Sequence, residues 1–327
     1  MSFPKPTSTV TATQKDYVRI FIRRRKAAAI RYPNADVFDL LHRMVDDLVA
    51  DRSKLTSSSF RKYRSAFLWC LMNLAERQSD PVWRDWVLDL RATLARESQT
   101  GALKRSTRTS SQKMRAVSAD IVDRIRNHLL ENPTKSSLAH PTASAMTILD
   151  LCGIRPCELE DMVVTAIGSD GIDLDVRTAK HTNGRGVAER RTISLRGLTE
   201  LEFRLVMAWP EHLAALASDC PAGKIIRKLA AYFKDAGRRV LGTKAKTPCF
   251  YTFRHQVTAD MKSVDFVSVE TGSVLGHASD RTNQVHYARK VAGRGKVKVV
   301  PDPKLAAKVR QKAKTFDDHN RPRRGKT

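Results

Sequence analysis

Two arginines, a lysine, a histidine and a tyrosine stand out along this chain for the places they occupy. Arg155 lies in Gly153-Ile154-Arg155-Pro156-Cys157-Glu158-Leu159, at a helix start, with Glu158 three residues on to orient it. Lys180 ends an alternating apolar run at the mouth of a hairpin. Arg254 falls in Tyr251-Thr252-Phe253-Arg254-His255, which opens a helix. His277 closes Leu275-Gly276-His277 at a helix end, and Tyr287 follows ten residues later in His286-Tyr287-Ala288. Together these residue types suit displacement at a phosphodiester. Two guanidiniums clamp the charge that builds on non-bridging oxygens through paired donors, which lysine cannot reproduce. A phenol takes up the phosphoryl group as a reversible ester. A lysine on a hairpin can protonate the leaving oxygen, and a histidine can hydrogen-bond the phosphate. Because the bond energy stays in the tyrosyl ester, no cofactor, ATP or metal is expected. No P-loop, dinucleotide fingerprint, HExxH or GxSxG pattern is present, so nucleotide-driven and common hydrolytic chemistries lose their usual supports.

The elements that must position these groups are mostly helical. Val37, Leu40, Leu41, Met44 and Leu48 recur at helical spacing, as do Phe60, Tyr63, Phe67, Leu71 and Leu74 behind the candidate cap Thr56. Further helices are expected near 15–31 and over 81–97, the latter from Pro81. Residues 98–117 have no apolar periodicity and much Ser, Thr, Lys and Arg, which marks a linker. Beyond it, helices are expected from Ser118 to Glu131 and from Pro141 to Leu151. Ile172, Leu174 and Val176 then alternate with aspartates, and Thr192 and Ser194 with Ile193 and Leu195, on either side of Asn183-Gly184. That is a small antiparallel sheet around a turn dipeptide. Helices resume at the Thr199-Glu202 capping box, run through Lys224 to Leu241, and recur at 251–262 and 266–275. The organisation is a flexible N-terminus (1–14), a helical domain (15–100), a basic linker (101–117), a second domain (118–290) and a basic tail (291–327) with a helical stretch from Lys304 to Lys314.

Charge is distributed unevenly over the 327 residues, whose formal net charge is +25. Residues 118–287 hold 22 basic and 20 acidic residues, whereas the tail from Ala288 holds 14 basic and three acidic ones. The linker holds five basic residues and no acid. Such a balance fits contact with a nucleic-acid backbone. The candidate DNA-binding residues are Arg23, Arg24, Arg25, Lys26, Arg61, Lys62 and Arg64 on the first domain, and Lys104, Arg105, Arg108, Lys113 and Arg115 on the linker. With aromatics at 6%, a single-strand binder built on stacked bases is disfavoured. Five cysteines with no CxxC pair indicate neither a disulfide framework nor a zinc site and read as small apolar residues in a reducing cytoplasm. No apolar run reaches the length of a membrane span, and no secretory signal appears.

The order Arg155, Lys180, Arg254, His277, Tyr287 resembles the tyrosine recombinase (phage-type integrase) family over the whole second domain. GIRPCEL looks like the family's first arginine box, FRH like the second, and LGH with its downstream tyrosine like the C-terminal box. The helical first domain is similar to the family's core-binding domain in architecture. The resemblance implies a mainly α, DNA breaking-rejoining fold with a small antiparallel sheet in the catalytic domain. It also implies a site-specific recombinase that cuts and rejoins duplex DNA through a 3′-phosphotyrosine on Tyr287. Arg155 and Arg254 would clamp the phosphate, Lys180 would act as the acid and His277 would steady the transition state. Its partners would be double-stranded DNA with an inverted-repeat core site and copies of itself, a dimer per site and a tetramer in synapsis, with an accessory DNA-binding protein as an optional addition. The tail is expected to dock on a neighbouring protomer. A bacterial cytoplasm or nucleoid is the expected location, and the biological role one of integration, excision or cointegrate resolution for a mobile element. Tyr251 departs from the family, which often has His there. It can donate a hydrogen bond but cannot act as a base near neutral pH, and it counts as a site residue and a rival nucleophile. For Lys180, whose neighbours include Arg177, Arg185, Arg190 and Arg191, a DNA-backbone role is the alternative. A type IB topoisomerase-like relaxing enzyme and a non-catalytic DNA-binding regulator are the alternative functions.

Overall fold

Side-chain caps and apolar stripes set four helices in the first unit of the computed structural model. The structure describes residues 11–103, 114–131, 136–168, 171–179, 181, 186–280 and 290–311. Helix α1 (Ala12–Arg31) starts in a Thr11–Gln14 capping box, and α2 (Val37–Ala50) starts at Asp36. Thr56 caps α3 (Ser57–Glu76), and Asp80 caps α4 (Pro81–Arg96), with Pro81 in the first turn where its missing N–H costs nothing. Their apolar faces meet in a core that includes Phe21, Leu48, Phe60, Phe67, Leu71, Val87 and Leu94. The chain divides into two units, 1–108 and 109–327, within the expected linker.

Both described ends of that linker are tied down. The Leu103 amide donates to Leu55 O (2.8 Å) in the first unit. In the second, the Val117 amide donates to Gln256 Oε1 (2.8 Å) and Thr252 Oγ1 donates to Met114 O (3.0 Å). The linker reading is thereby shortened at each end, where backbone groups find partners.

In the second unit, α5 (Ala119–Glu131) and α6 (Ala139–Cys152) pack together. Helix α6 begins two residues before Pro141, with Pro141 inside its first turn. A four-stranded antiparallel sheet follows in the order β1-β2-β3-β4: β1 (Val163–Ile167), β2 (Gly171–Arg177), β3 (Arg190–Leu195) and β4 (Val299–Val300). Ile172, Leu174 and Val176 pair with Leu195, Ile193 and Arg191, so one face of β2 and β3 is continuous and buried. The Asn183-Gly184 turn lies outside the described residues. Helices α7 (Glu200–Met207), α8 (Trp209–Asp219), α9 (Ile225–Leu241), α10 (Phe250–Ser263) and α11 (Ser268–Leu275) complete the layer around a core that includes Phe233, Phe253 and Trp209.

The described start of the tail is part of this unit. Beyond β4, α12 (Pro303–Lys308) packs on α11, and Arg310 forms a parallel bridge with Ser279. This corrects the reading of a separate tail from 291 with a helix over 304–314. Residues 299–310 dock on their own chain because Val299, Leu305, Ala306 and Val309 find a buried apolar seat there. Residues 312–327 lie outside the described set. Among the described residues no helix is long and apolar enough to cross a membrane.

Candidate active site

One buried carboxylate organises the site. Helix α6 ends at Gly153, whose φ of +63° turns the chain out of the helix. A Cβ there would lie 2.9 Å from Val257 Cβ on α10, so the left-handed turn and the close approach both require glycine. Gly153→Ala is expected to lower the unfolding free energy by about 1–3 kcal/mol in a urea titration. Arg155 follows and opens a short 3-10 turn, Pro156–Asp161. Glu158 folds back on it: Oε2 accepts from the Arg155 amide (2.9 Å) and Oε1 from Arg155 Nη1 (2.8 Å). The same carboxylate accepts from the Ala179 amide (3.0 Å) and from Arg191 Nη2 (2.8 Å). The side chains of Glu158 and Arg191 are 0% exposed, and that of Arg155 keeps 11%.

Burial by itself raises a carboxyl pKa, but Arg191, the Ala179 amide and nearby Arg254 outweigh it and hold Glu158 at about 2, against an ordinary 4.5. A depressed acid contributes stability that is present above pH 4.5 and is lost as pH falls towards 2, about 3 kcal/mol in all for such a shift. A carboxyl-carbon NMR titration of Glu158 is expected to show a midpoint near 2; a midpoint at the ordinary value would contradict this network.

Arg254 lies in the first turns of α10, buried among Phe253, Val257 and the ends of α6 and α11. Its Nη1 donates to Gly153 O (2.9 Å), and its Nη2 to Leu275 O (2.7 Å) and His277 Nε2 (2.9 Å). A guanidinium can only donate, so Nε2 is the acceptor and the imidazole proton lies on Nδ1. His277 follows Gly276, the left-handed cap of α11. The segments that hold Arg155, Arg254 and His277 are thus joined by direct bonds.

Lys180 and Tyr287 lie outside the described residues, as do Lys104, Arg105, Arg108 and Lys113. The two residues before Lys180 are fixed to the site: Ala179 by its amide on Glu158, and Thr178 by its Oγ1, which accepts from Arg191 Nη1 (2.9 Å). Tyr251 is 42% exposed, its ring 5.6 Å from that of His255. Cys157 is exposed beside Arg155, unlike the buried Cys70 and Cys152, and all five cysteines are free thiols.

No protein-family model matches the chain, and no curated protein does. Solved structures do. XerH site-specific recombinase bound to difH substrate, in a pre-cleavage complex, is 12% identical, with 85% of this chain and 77% of that one covered at a TM-score of 0.52. The chain has the tyrosine recombinase fold. A lambda integrase dimer bound to a COC′ core site is 15% identical, with 88% of this chain and 73% of that one covered at a TM-score of 0.47. The mainly α recombinase architecture with a small antiparallel sheet, expected from the sequence, is the one observed.

Within that fold, sequence reasoning missed two arginines. In the sequence Arg191 stands only as a basic neighbour of Lys180, although β3 parity with Ile193 and Leu195 puts it on the buried face. Arg294 donates from Nε to Asp260 Oδ2 (3.0 Å) and from Nη1 to Asp150 Oδ1 (2.9 Å). It fastens the chain beyond residue 290 to α10 and α6. The readable signal was an aspartate in each of two apolar helices, since a buried carboxylate needs a cation.

On the first unit, Arg24 pairs with Asp51 (2.8 Å), Lys62 with Asp16 (2.6 Å), and Arg64 donates to the α4 carbonyls Leu94 O (3.2 Å) and Ala95 O (2.6 Å). Arg23 reaches Tyr63 Oη (3.1 Å), Arg25 is half-buried, and Lys26, Arg61 and Arg115 are exposed. Lys15, Arg19, Arg23 and Lys26 line a groove along α1 with Val18 and Ile22, so Lys15 and Arg19 join the cationic stripe. Among the described residues no group of His, Cys, Asp or Glu is placed to hold a metal ion.

Proposed function

We propose that the chain is a site-specific DNA recombinase that cuts and rejoins duplex DNA through a covalent 3′-phosphotyrosine on Tyr287. The observation that carries this reading is the pairing of Arg155 and Arg191 on Glu158 beside the Arg254–His277 bond, built from separate segments of a recombinase fold. Two guanidiniums bond one carboxylate and the charge of Arg254 acts on it as well, which leaves the site net cationic where a phosphodiester would sit. Arg155, the partly exposed member, meets the non-bridging oxygens, held in place by Glu158. Arg254 fixes His277 with its proton on Nδ1, and on this reading that N–H is the donor to the phosphate.

The phenol oxygen of Tyr287 attacks phosphorus and gives its proton to solvent water, and the bond to the 5′ oxygen breaks. Lys180 protonates that oxygen, releasing a 5′-hydroxyl. Rejoining is the reverse, with a 5′-hydroxyl from another strand as the nucleophile. The exposed cations of α1, together with Arg61 and Arg115, hold the duplex by its backbone. An inverted-repeat core site bound by two copies, with two such pairs in synapsis, follows from the same reading, as does service to a mobile element in a bacterial cytoplasm or nucleoid.

A duplex nicked close to the cleavage point tests the reading. The short strand end diffuses away after attack, so a covalent protein–DNA adduct accumulates on a denaturing gel. No adduct on any core-site library would sink it.

A further inference from the structure

The side chain that ties the site together is one to which the proposed chemistry gives no task. Arg191 projects from β3 onto the buried face, next in line after Leu195 and Ile193, where another aliphatic residue would extend the core. Each of its three nitrogens donates to a different segment of the site. Nη2 reaches Glu158 Oε2 (2.8 Å) in the Arg155 turn, Nη1 reaches Thr178 Oγ1 (2.9 Å) at the end of β2, and Nε reaches Val274 O (3.0 Å) at the end of α11.

Gly276 carries the imprint of this arrangement. At φ +69°, a Cβ on it would stand 2.9 Å from Arg191 Cζ and 2.9 Å from Nη1, so the guanidinium lies directly against the turn that presents His277. Stability alone gives a poor account of such a group. Taking an ion pair out of water costs about as much as its attraction returns, and a well-packed apolar replacement is often neutral or better. What an apolar residue cannot do is fix three chain segments at set distances with directional bonds.

We propose that Arg191 is a positioning residue of the candidate site, locking the Arg155 turn, the strand end that leads to Lys180 and the His277 turn into one geometry. The proposal rests on the strand-transfer reading. Arg191 touches no reacting atom. It acts through Glu158, which it leaves ionised to hold Arg155, through Thr178, two residues before Lys180, and through the carbonyl of Val274, three residues before His277.

The test compares the parent with Arg191→Lys and Thr178→Val in single-turnover cleavage of a nicked duplex at saturating protein. DNA affinity and urea unfolding are measured alongside. Lysine keeps the charge opposite Glu158 but cannot reach all three acceptors. Arg191→Lys is expected to bind DNA within about twofold of the parent and to cleave at least about tenfold more slowly, as small misplacements of reacting groups do. Thr178→Val, which removes one of the three bonds, is expected to show a smaller loss of the same kind. Cleavage within about threefold of the parent in both variants would overturn the proposal. So would a rate loss matched by an equal loss of affinity or of folded protein.

A second readout does not depend on cleavage. Nitrogen-15 shifts of the His277 ring are expected to report the Nδ1–H tautomer in the parent and an averaged ring in Arg191→Lys. An unchanged ring would count against the proposal, whereas a parent that forms no adduct would count against the strand-transfer reading.

Discussion

Arg254→Lys is expected to slow formation of the protein–DNA adduct by about two to three orders of magnitude while leaving DNA affinity close to the parent's. The size follows from what is lost. Arg254 holds Gly153 O, Leu275 O and His277 Nε2 at 2.7–2.9 Å from a single planar group. A lysine ammonium keeps the charge but not the planar fork, so the three points are no longer held together. The histidine then loses the partner that sets its tautomer, and the two arginine boxes lose their direct tie. The donor at stake is the His277 imidazole that Arg254 aims, and losing one preorganised donor from a site that stabilises developing oxyanion charge costs about 10²–10³ in rate. Affinity is carried elsewhere, by many backbone contacts from exposed cations, and one buried residue contributes little to it. Single-turnover cleavage at saturating protein, read beside a binding isotherm, separates the two quantities. A rate within about tenfold of the parent would place Arg254 in the scaffold rather than in the chemistry. Urea unfolding of the same variant shows whether its loss follows folded protein instead.

Much of the scaffold could be read because its signals are local. Thr56 and Thr199 each cap a helix by a bond to a backbone amide three residues on, whereas the Thr11 cap starts α1 inside the stretch expected to be flexible. Arg155 and Glu158 are three residues apart, so their pairing is also a local event. The alternation of Ile172, Leu174 and Val176 reports burial on one face, and the structure buries all three. The same rule extended one step from Ile193 would have found Arg191.

Other features depend on partners far along the chain. Strand β1 is mostly exposed and so leaves no alternation, and β4 is only two residues long. Residues 114–117 resemble linker until Gln256 and Thr252 receive their backbone. Counting charge could not separate Arg64, which satisfies the last carbonyls of α4, from Arg61, which faces solvent. Likewise the positive tail was read as one piece, whereas Arg294 is held between Asp150 and Asp260 and the chain after it joins the sheet. Charge near the end of the chain therefore has two uses, an internal clamp and an outer field.

The account stands most directly on the nucleophile. If the site works as proposed, one phenol attacks phosphorus and every other group serves that step, so removing it should abolish the adduct rather than weaken it. A phenylalanine keeps the ring and deletes the attacking oxygen, so only another tyrosine could form the same ester. The rival is Tyr251, exposed at the start of α10 with its ring against His255. The deciding measurement is the denaturing-gel adduct assay on a nicked core-site duplex with the parent, Tyr287→Phe and Tyr251→Phe, followed by mass mapping of the linked peptide. The account predicts an adduct in the parent and in Tyr251→Phe, none in Tyr287→Phe, and a nucleotide mass on the peptide containing Tyr287. An adduct that persists in Tyr287→Phe, or a linked peptide containing Tyr251, would contradict it.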